Sequence, residues 1–211
     1  MINLQQLRQR CLSRADMENS NFRSEDDLDF MINSSVDELY DLLVSSYEDY
    51  YVSEFEFDFN GSPDGYQLPV SIYKLLGIDS NQGIGDWTEL EPYTFSDRNS
   101  YTSSSRTRYR WLGNSISFSP SENAAGRYKI YFIPRNKHLL DFDESLPPDL
   151  EQYSEYIVID VAIKLLQQEE SDPSVLMAQK GAMIARINNM KHNRDVGNPI
   201  TTRKVRFDSG W

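Results

Sequence analysis

The sequence holds one cysteine, Cys11, in 211 residues. That excludes an intramolecular disulfide and fits a reducing compartment. Histidines are limited to His138 and His192. Neither has a second His or a Cys at ligand spacing, so no zinc site is expected. Long apolar runs are missing too. No stretch approaches the roughly 18 apolar residues that suggest a membrane helix. The opening Met1-Ile2-Asn3-Leu4 is soon followed by Arg8 and Arg10, which is not a secretory start. The chain therefore reads as a soluble protein made without a signal peptide. Positive charge is scarce: 21 Lys and Arg stand against 33 Asp and Glu, a net −12. So acidic a chain is not expected to wrap nucleic acid over its whole surface.

Catalytic signatures are equally scarce. There is no phosphate-cradling Gly-Lys-Ser/Thr loop and no nucleophile elbow. Asp79 to Leu90 has the outline of a calcium loop. It lacks an acidic third ligand at Gly83 and the closing Glu at Leu90. Adjacent carboxylates such as Glu169-Glu170 follow from the acidic composition and read as a solvated face. The expectation is a protein that is not an enzyme and has no cofactor and no metal.

Aromatic residues are plentiful, at 12% with 13 Tyr, so the chain can build a core despite a mean hydropathy of −0.60. Its length suits one domain, or one domain with a sizeable insertion. Leu4, Leu7, Cys11 and Leu12 recur at helical spacing. Ser24 is a candidate N-cap, and Glu25, Asp26 and Asp27 suit the positive end of a helix. Leu28, Met31, Ile32, Val36, Leu39, Tyr40, Leu43 and Tyr47 continue the apolar face, which predicts one helix from 24 to about 50.

The period then changes. Phe55, Phe57 and Phe59 alternate with Glu54, Glu56 and Asp58, as in a strand. Asn60-Gly61 and Asp64-Gly65 are turn signals. Residues 79–107, rich in Gly, Ser, Thr and Asp, read as loop. Tyr109 to Phe118 reads as a hairpin about Gly113-Asn114. Gly126 to Pro134 reads as a further strand with Tyr128, Ile130 and Phe132 on one face. Residues 135–149 read as a linker. Tyr156 to Leu166 is apolar almost all round, a buried helix. Asp172-Pro173 restarts a helix that runs to about 191.

These elements predict an α+β fold. Residues 1–50 and 150–193 form a helical bundle, 51–149 hold a small antiparallel β unit and linker, and 194–211 are an extended C-terminal arm.

Charge is segregated along the chain. Asp16 to Asp58 holds 14 acidic residues and one basic, Arg23, whereas Lys180 to Trp211 holds seven basic and two acidic. Such a chain is electrostatically complementary to copies of itself. Tyr47, Tyr50 and Tyr51 have the makings of a base-stacking platform, but the surrounding acid favours packing at a helix end. Arg106, Arg108 and Arg110 can grip phosphates, although an exposed strand face explains them as well. Arg203, Lys204, Val205, Arg206 and Phe207 alternate basic and apolar, with Trp211 at the end. This is either a frayed terminus or an arm that adds to a partner's sheet edge or groove.

Several segments resemble one family in order and spacing. They are Leu7–Arg10, Arg14–Asn21, Ile32–Ser35, Glu38–Leu43, Leu68-Pro69 and Tyr73–Asp79. Later come Tyr109–Asn114, Tyr131–Pro134, Glu155–Lys164, Glu169–Asp172 and Asn193–Gly197. Together they resemble the head-to-tail adaptor, or connector, proteins of short-tailed bacteriophages. Residues 80–107 and 200–211 lie outside the resemblance.

The resemblance implies a structural virion protein, made in the host cytoplasm and located at the portal–tail junction. Its partners are the portal protein, tail nozzle or tail-tube proteins, and itself in a ring, usually of twelve. Double-stranded DNA passes through without specific binding, and no membrane is involved. By position, Arg203, Lys204, Val205, Arg206, Phe207 and Trp211 are the candidate portal contact. Glu25, Asp26, Asp27 and Asp29 are the candidate inter-subunit or channel-facing acid, since an acidic wall does not neutralise phosphates. The rival reading is an acidic effector that mimics nucleic acid and occupies a nucleic-acid-binding protein.

Overall fold

The computed structural model describes residues 1–18, 24–81, 86–97, 106–121 and 124–194. The chain divides into two compact units. One comprises residues 1–47 with the chain from 138 onward; the other is 48–137.

The first unit is helical. α1 (Leu4–Arg14) starts at Asn3, whose side chain accepts from the Gln6 N–H while Gln6 caps the Asn3 N–H in return. α2 (Glu25–Ser46) starts at Ser24, whose hydroxyl accepts from the Asp27 N–H. It ends earlier than the sequence suggests. Tyr47 leaves the helix, and a 3-10 turn, Glu48–Tyr51, follows in the second unit. α3 (Pro148–Glu151) is one turn. α4 (Ser154–Gln168) is buried on most sides and packs against α1, α2 and α5 (Ser174–Arg194). Asp172 accepts from the Ser174 N–H at 2.9 Å and marks the start of α5. Ile157, Val161 and Leu165 of α4, Leu7 and Cys11 of α1, and Ile32, Val36, Leu39 and Leu43 of α2 are fully or almost fully buried.

Much of the predicted linker is part of this unit. Backbone bonds from Leu4 N–H to Glu144 O and from Leu146 N–H to Ile2 O strap residues 142–146 to the start of α1. Asn33 pairs with both backbone groups of Leu139, at 2.9 and 2.8 Å. Leu139 and Leu146 are buried.

The second unit overturns the expected fold class. It is not a small β insertion in a helical bundle. Among the described residues seven strands form two antiparallel sheets around their own core, so the fold is a mixed α+β with a substantial sheet. β1 (Ser53–Phe59), β7 (Gly126–Pro134), β3 (Ile72–Asn81) and β4 (Trp87–Glu89) make the first sheet, in that order. β2 (Tyr66–Gln67), β6 (Ser115–Ser119) and β5 (Arg108–Leu112) make the second. Phe59, Phe118 and Tyr128 meet at ring separations of 4.6–6.4 Å in the core, and Tyr66 stacks on Phe57 at 3.9 Å.

The predicted loop 79–107 is also corrected. β3 runs on through Asp79, Ser80 and Asn81, which pair with Lys129, Tyr128 and Arg127, and β4 follows. Local composition hid this strand, because its pairing partner lies some fifty residues away. The extended C-terminal arm of the expected fold lies outside the described residues.

Candidate functional site

The expected acidic face opens α2, and two of its four carboxylates pair with Arg8. Arg8 of α1 donates from Nε to Asp29 Oδ1 at 2.5 Å and from Nη2 to Asp29 Oδ2, a bidentate pair. Its Nη1 reaches Glu25 at 2.7 Å. The guanidinium also lies over the Phe142 ring, 4.5 Å from the centroid. Hydrogen bonds to Asp29 outweigh desolvation and raise the Arg8 pKa above its ordinary value. Asp27 is engaged with the Ser24 cap. Asp26 is exposed and has no ion-pair partner among the described residues. Of the four, Asp29 is part-buried against Arg8, Glu25 reaches Arg8 from an exposed position, and Asp26 and Asp27 face solvent.

A second charged group is more central. Asp160 of α4 is 3% exposed. Its Oδ2 takes a hydrogen bond from Ser35 of α2 at 2.6 Å and an ion pair from Lys164 at 2.8 Å. Its Oδ1 faces Lys180 of α5 at 2.5 Å. Glu38 of α2 pairs with both lysines, at 2.8 and 3.2 Å. Lys180 also lies over the Tyr156 ring, 5.1 Å from its centroid.

Burial pushes the Asp160 pKa up, but hydrogen bonds from Lys164, Lys180 and Ser35 more than reverse it and hold the carboxyl below its ordinary range. Desolvation lowers both lysines, and Asp160 and Glu38 more than restore them. The cluster thus holds Asp160, Lys164 and Lys180 in their charged forms. A general acid or base needs the opposite, a pKa moved toward neutrality. The group is a staple that joins α2, α4 and α5.

In the β unit, the outer side of β1 and β7 carries Glu54, Glu56, Lys129 and Arg127. Lys129 bridges Glu54 and Glu56 at 3.6 and 2.9 Å, and Arg127 reaches Glu56 at 2.6 Å. A cleft of about 570 Å³ in this unit is lined in part by Arg106, Arg108, Arg127, Glu89 and Glu91. Arg108 is paired with Glu91 at 2.7 Å, and Arg110 lies over Phe95 at 5.0 Å. The mixture of signs makes the cleft a poor cradle for phosphate. The tyrosines do not form one platform. Tyr47 is buried in the helical unit and donates to Ile187 O at 2.7 Å, whereas Tyr50 and Tyr51 meet edge to face in the β unit.

Arg203, Lys204, Val205, Arg206, Phe207 and Trp211 lie outside the described residues. Among the described residues no group of His, Cys, Asp or Glu is placed to hold a metal ion. No described helix is long and apolar enough to cross a membrane. Sequence reasoning missed Arg8 as the partner of the acid in α2, and it missed the open edge of β1. The alternation of Glu and Phe in β1 was a signal for the strand but not for its place in the sheet.

Compared with known proteins, the chain matches no family model, and no curated sequence matches it significantly.

Proposed function

We propose that this chain is a structural head-to-tail adaptor, a ring subunit that joins a portal to tail proteins around a DNA channel. The observation that carries this reading is where the polar residues of the resembling segments meet. Arg10 and Arg14 both reach Glu155, at 3.2 and 3.0 Å. Ser35 and Glu38 meet Asp160 and Lys164. The residues that carry the resemblance thus also staple the helical unit, which supports the reading.

Charge segregation supports the same reading. A ring subunit needs two lateral faces that are complementary and not identical. The exposed carboxylates of Asp26 and Asp27 suit a surface past which DNA moves without sticking. By position in the chain, the portal contact falls to residues 203–211. The mimic reading has less support, because Glu25, Asp29, Glu54, Glu56 and Asp160 are each held by a cation of the same chain.

The reading is tested by genetic removal and reconstitution. A phage that encodes this chain and loses it should accumulate DNA-filled heads without tails. Adding the purified protein should restore infectivity. Normal tailed particles in its absence contradict the proposal.

A further inference from the structure

β1 pairs with β7 through all its residues, from Ser53↔Phe132 to Phe59↔Gly126. Among the described residues no strand pairs with its other edge. Such an edge is a template for an added strand. Glu54, Glu56 and Asp58 line one side of β1, and Phe55, Phe57 and Phe59 line the other. Phe55 and the neighbouring Tyr66 are half-buried, so apolar surface lies on the Phe side. Lys129 and Arg127 answer Glu54 and Glu56, whereas Asp58 has no ion-pair partner among the described residues. The strand keeps an excess of negative charge. A second β1 is therefore a poor partner, since carboxylates would face carboxylates.

The chain carries the complement. Lys204-Val205-Arg206-Phe207 alternates basic and apolar with the same period of two. When Val205 and Phe207 lie on the Phe55 and Tyr66 side, Lys204 and Arg206 fall on the side of Glu54, Glu56 and Asp58. Parity alone requires this, whichever way the added strand runs. No other segment outside the described residues has this alternation.

We propose that Lys204–Phe207 of one copy adds as a strand to the open edge of β1 in a second copy. Each copy then gives an arm and offers an edge, a heterologous contact of the kind that closes rings. The exchange also offsets repulsion between chains of net charge −12. The proposal goes beyond the adaptor reading and stands without it. Within that reading, the strand takes Lys204–Phe207 out of the portal contact placed at 203–211 and leaves it to the residues beyond, Trp211 among them.

The test is carbodiimide cross-linking of the full-length protein at high concentration and low salt. Unlabelled and 15N-labelled copies are dissociated, mixed, reassembled, cross-linked and read by mass spectrometry. Lys129 and Glu56, 2.9 Å apart, provide an internal control. The expected result is a mixed-isotope cross-link from Lys204 to Glu54, Glu56 or Asp58. Glu54→Lys with Asp58→Lys should weaken self-association roughly tenfold, and adding Lys204→Glu with Arg206→Glu should restore it. These positions leave Glu56 with its own partners, and circular dichroism checks the fold. The control link without a Lys204 link overturns the proposal. So does a Lys204 link found only within copies of one isotope, which places the arm on its own β1. Portal binding is measured separately, so failure here leaves the adaptor reading standing.

Discussion

Lys180 of α5 reaches Asp160 of α4, and the acid end of this ion pair is almost dry while the amine keeps some contact with water: the side chains are 4% and 23% exposed. Lys164 completes the clamp from the same helix as Asp160. Asp160→Asn removes the charge that holds both lysines. It should lower unfolding stability by about 3 kcal/mol, the low end of the range for breaking a buried pair, because the lysines still reach water. Urea denaturation reads this directly. The pH dependence has a definite sign. The Asp160 pKa is depressed on folding, so its contribution is present above the ordinary carboxyl range and is lost as pH falls through the folded value. The raised lysines contribute below their ordinary range and lose that contribution as pH rises through their folded values. The gap between wild type and Asp160→Asn should be flat from roughly pH 5 to 9 and narrow on either side.

Arg8 and Asp29 predict a sharp contrast along one turn of α2. Arg8 is 12% exposed at its side chain, holds Asp29 and Glu25, and covers Phe142. Arg8→Met should cost about 2 kcal/mol. Asp26→Lys, exposed and without an ion-pair partner among the described residues, gives up only the favourable charge in the first turn of α2 and should cost about 1 kcal/mol or less. Within the adaptor reading, Asp26→Lys is the cleaner probe of DNA passage, since it disturbs the fold less than Arg8→Met.

Gly65 predicts a local failure in the β unit. Its φ is +80°, and a Cβ there would sit 2.5 Å from the Ile116 carbonyl oxygen. The neighbour is backbone of β6 and cannot swing aside. Gly65→Ala should destabilise the protein by at least about 2 kcal/mol, whereas Gly126→Ala, which meets only a ring atom at 3.9 Å, should cost far less. Thermal unfolding of the two variants makes the comparison.

Cys11 reports on opening of the helical unit. It is 0% exposed, and desolvation pushes its thiol pKa up to about 12. Native protein at pH 8 should resist alkylation. Full reaction should appear only in denaturant, at a rate that follows unfolding. Fast native alkylation contradicts the packing of α1 against α4.

Local signals explain which elements were legible. The Ser24 cap, the all-round apolarity of Tyr156 to Leu166 and the Phe–Glu alternation of β1 each show in a few adjacent residues. The end of β3 does not show. Asp79, Ser80 and Asn81 look like loop and become strand because β7 supplies their partners. The strap at 139–146 is hidden for the same reason: Asn33 holds Leu139 from 106 residues away. The acid of α2 was legible as charge, but its role was not. Nothing local in Glu25 or Asp29 reveals that both pair with Arg8.

On the adaptor reading, this chain assembles with a portal as a ring subunit. The direct test is mass photometry of the purified 24.5 kDa protein, mixed with a candidate portal ring from the same genome. The expected result is a mass gain near twelve subunits on the portal, the usual copy number of the family that the chain resembles. Deletion of residues 200–211 should abolish the gain. Portal rings that gain no mass at any salt, with the chain instead in a small discrete complex on a nucleic-acid-binding protein, would contradict it.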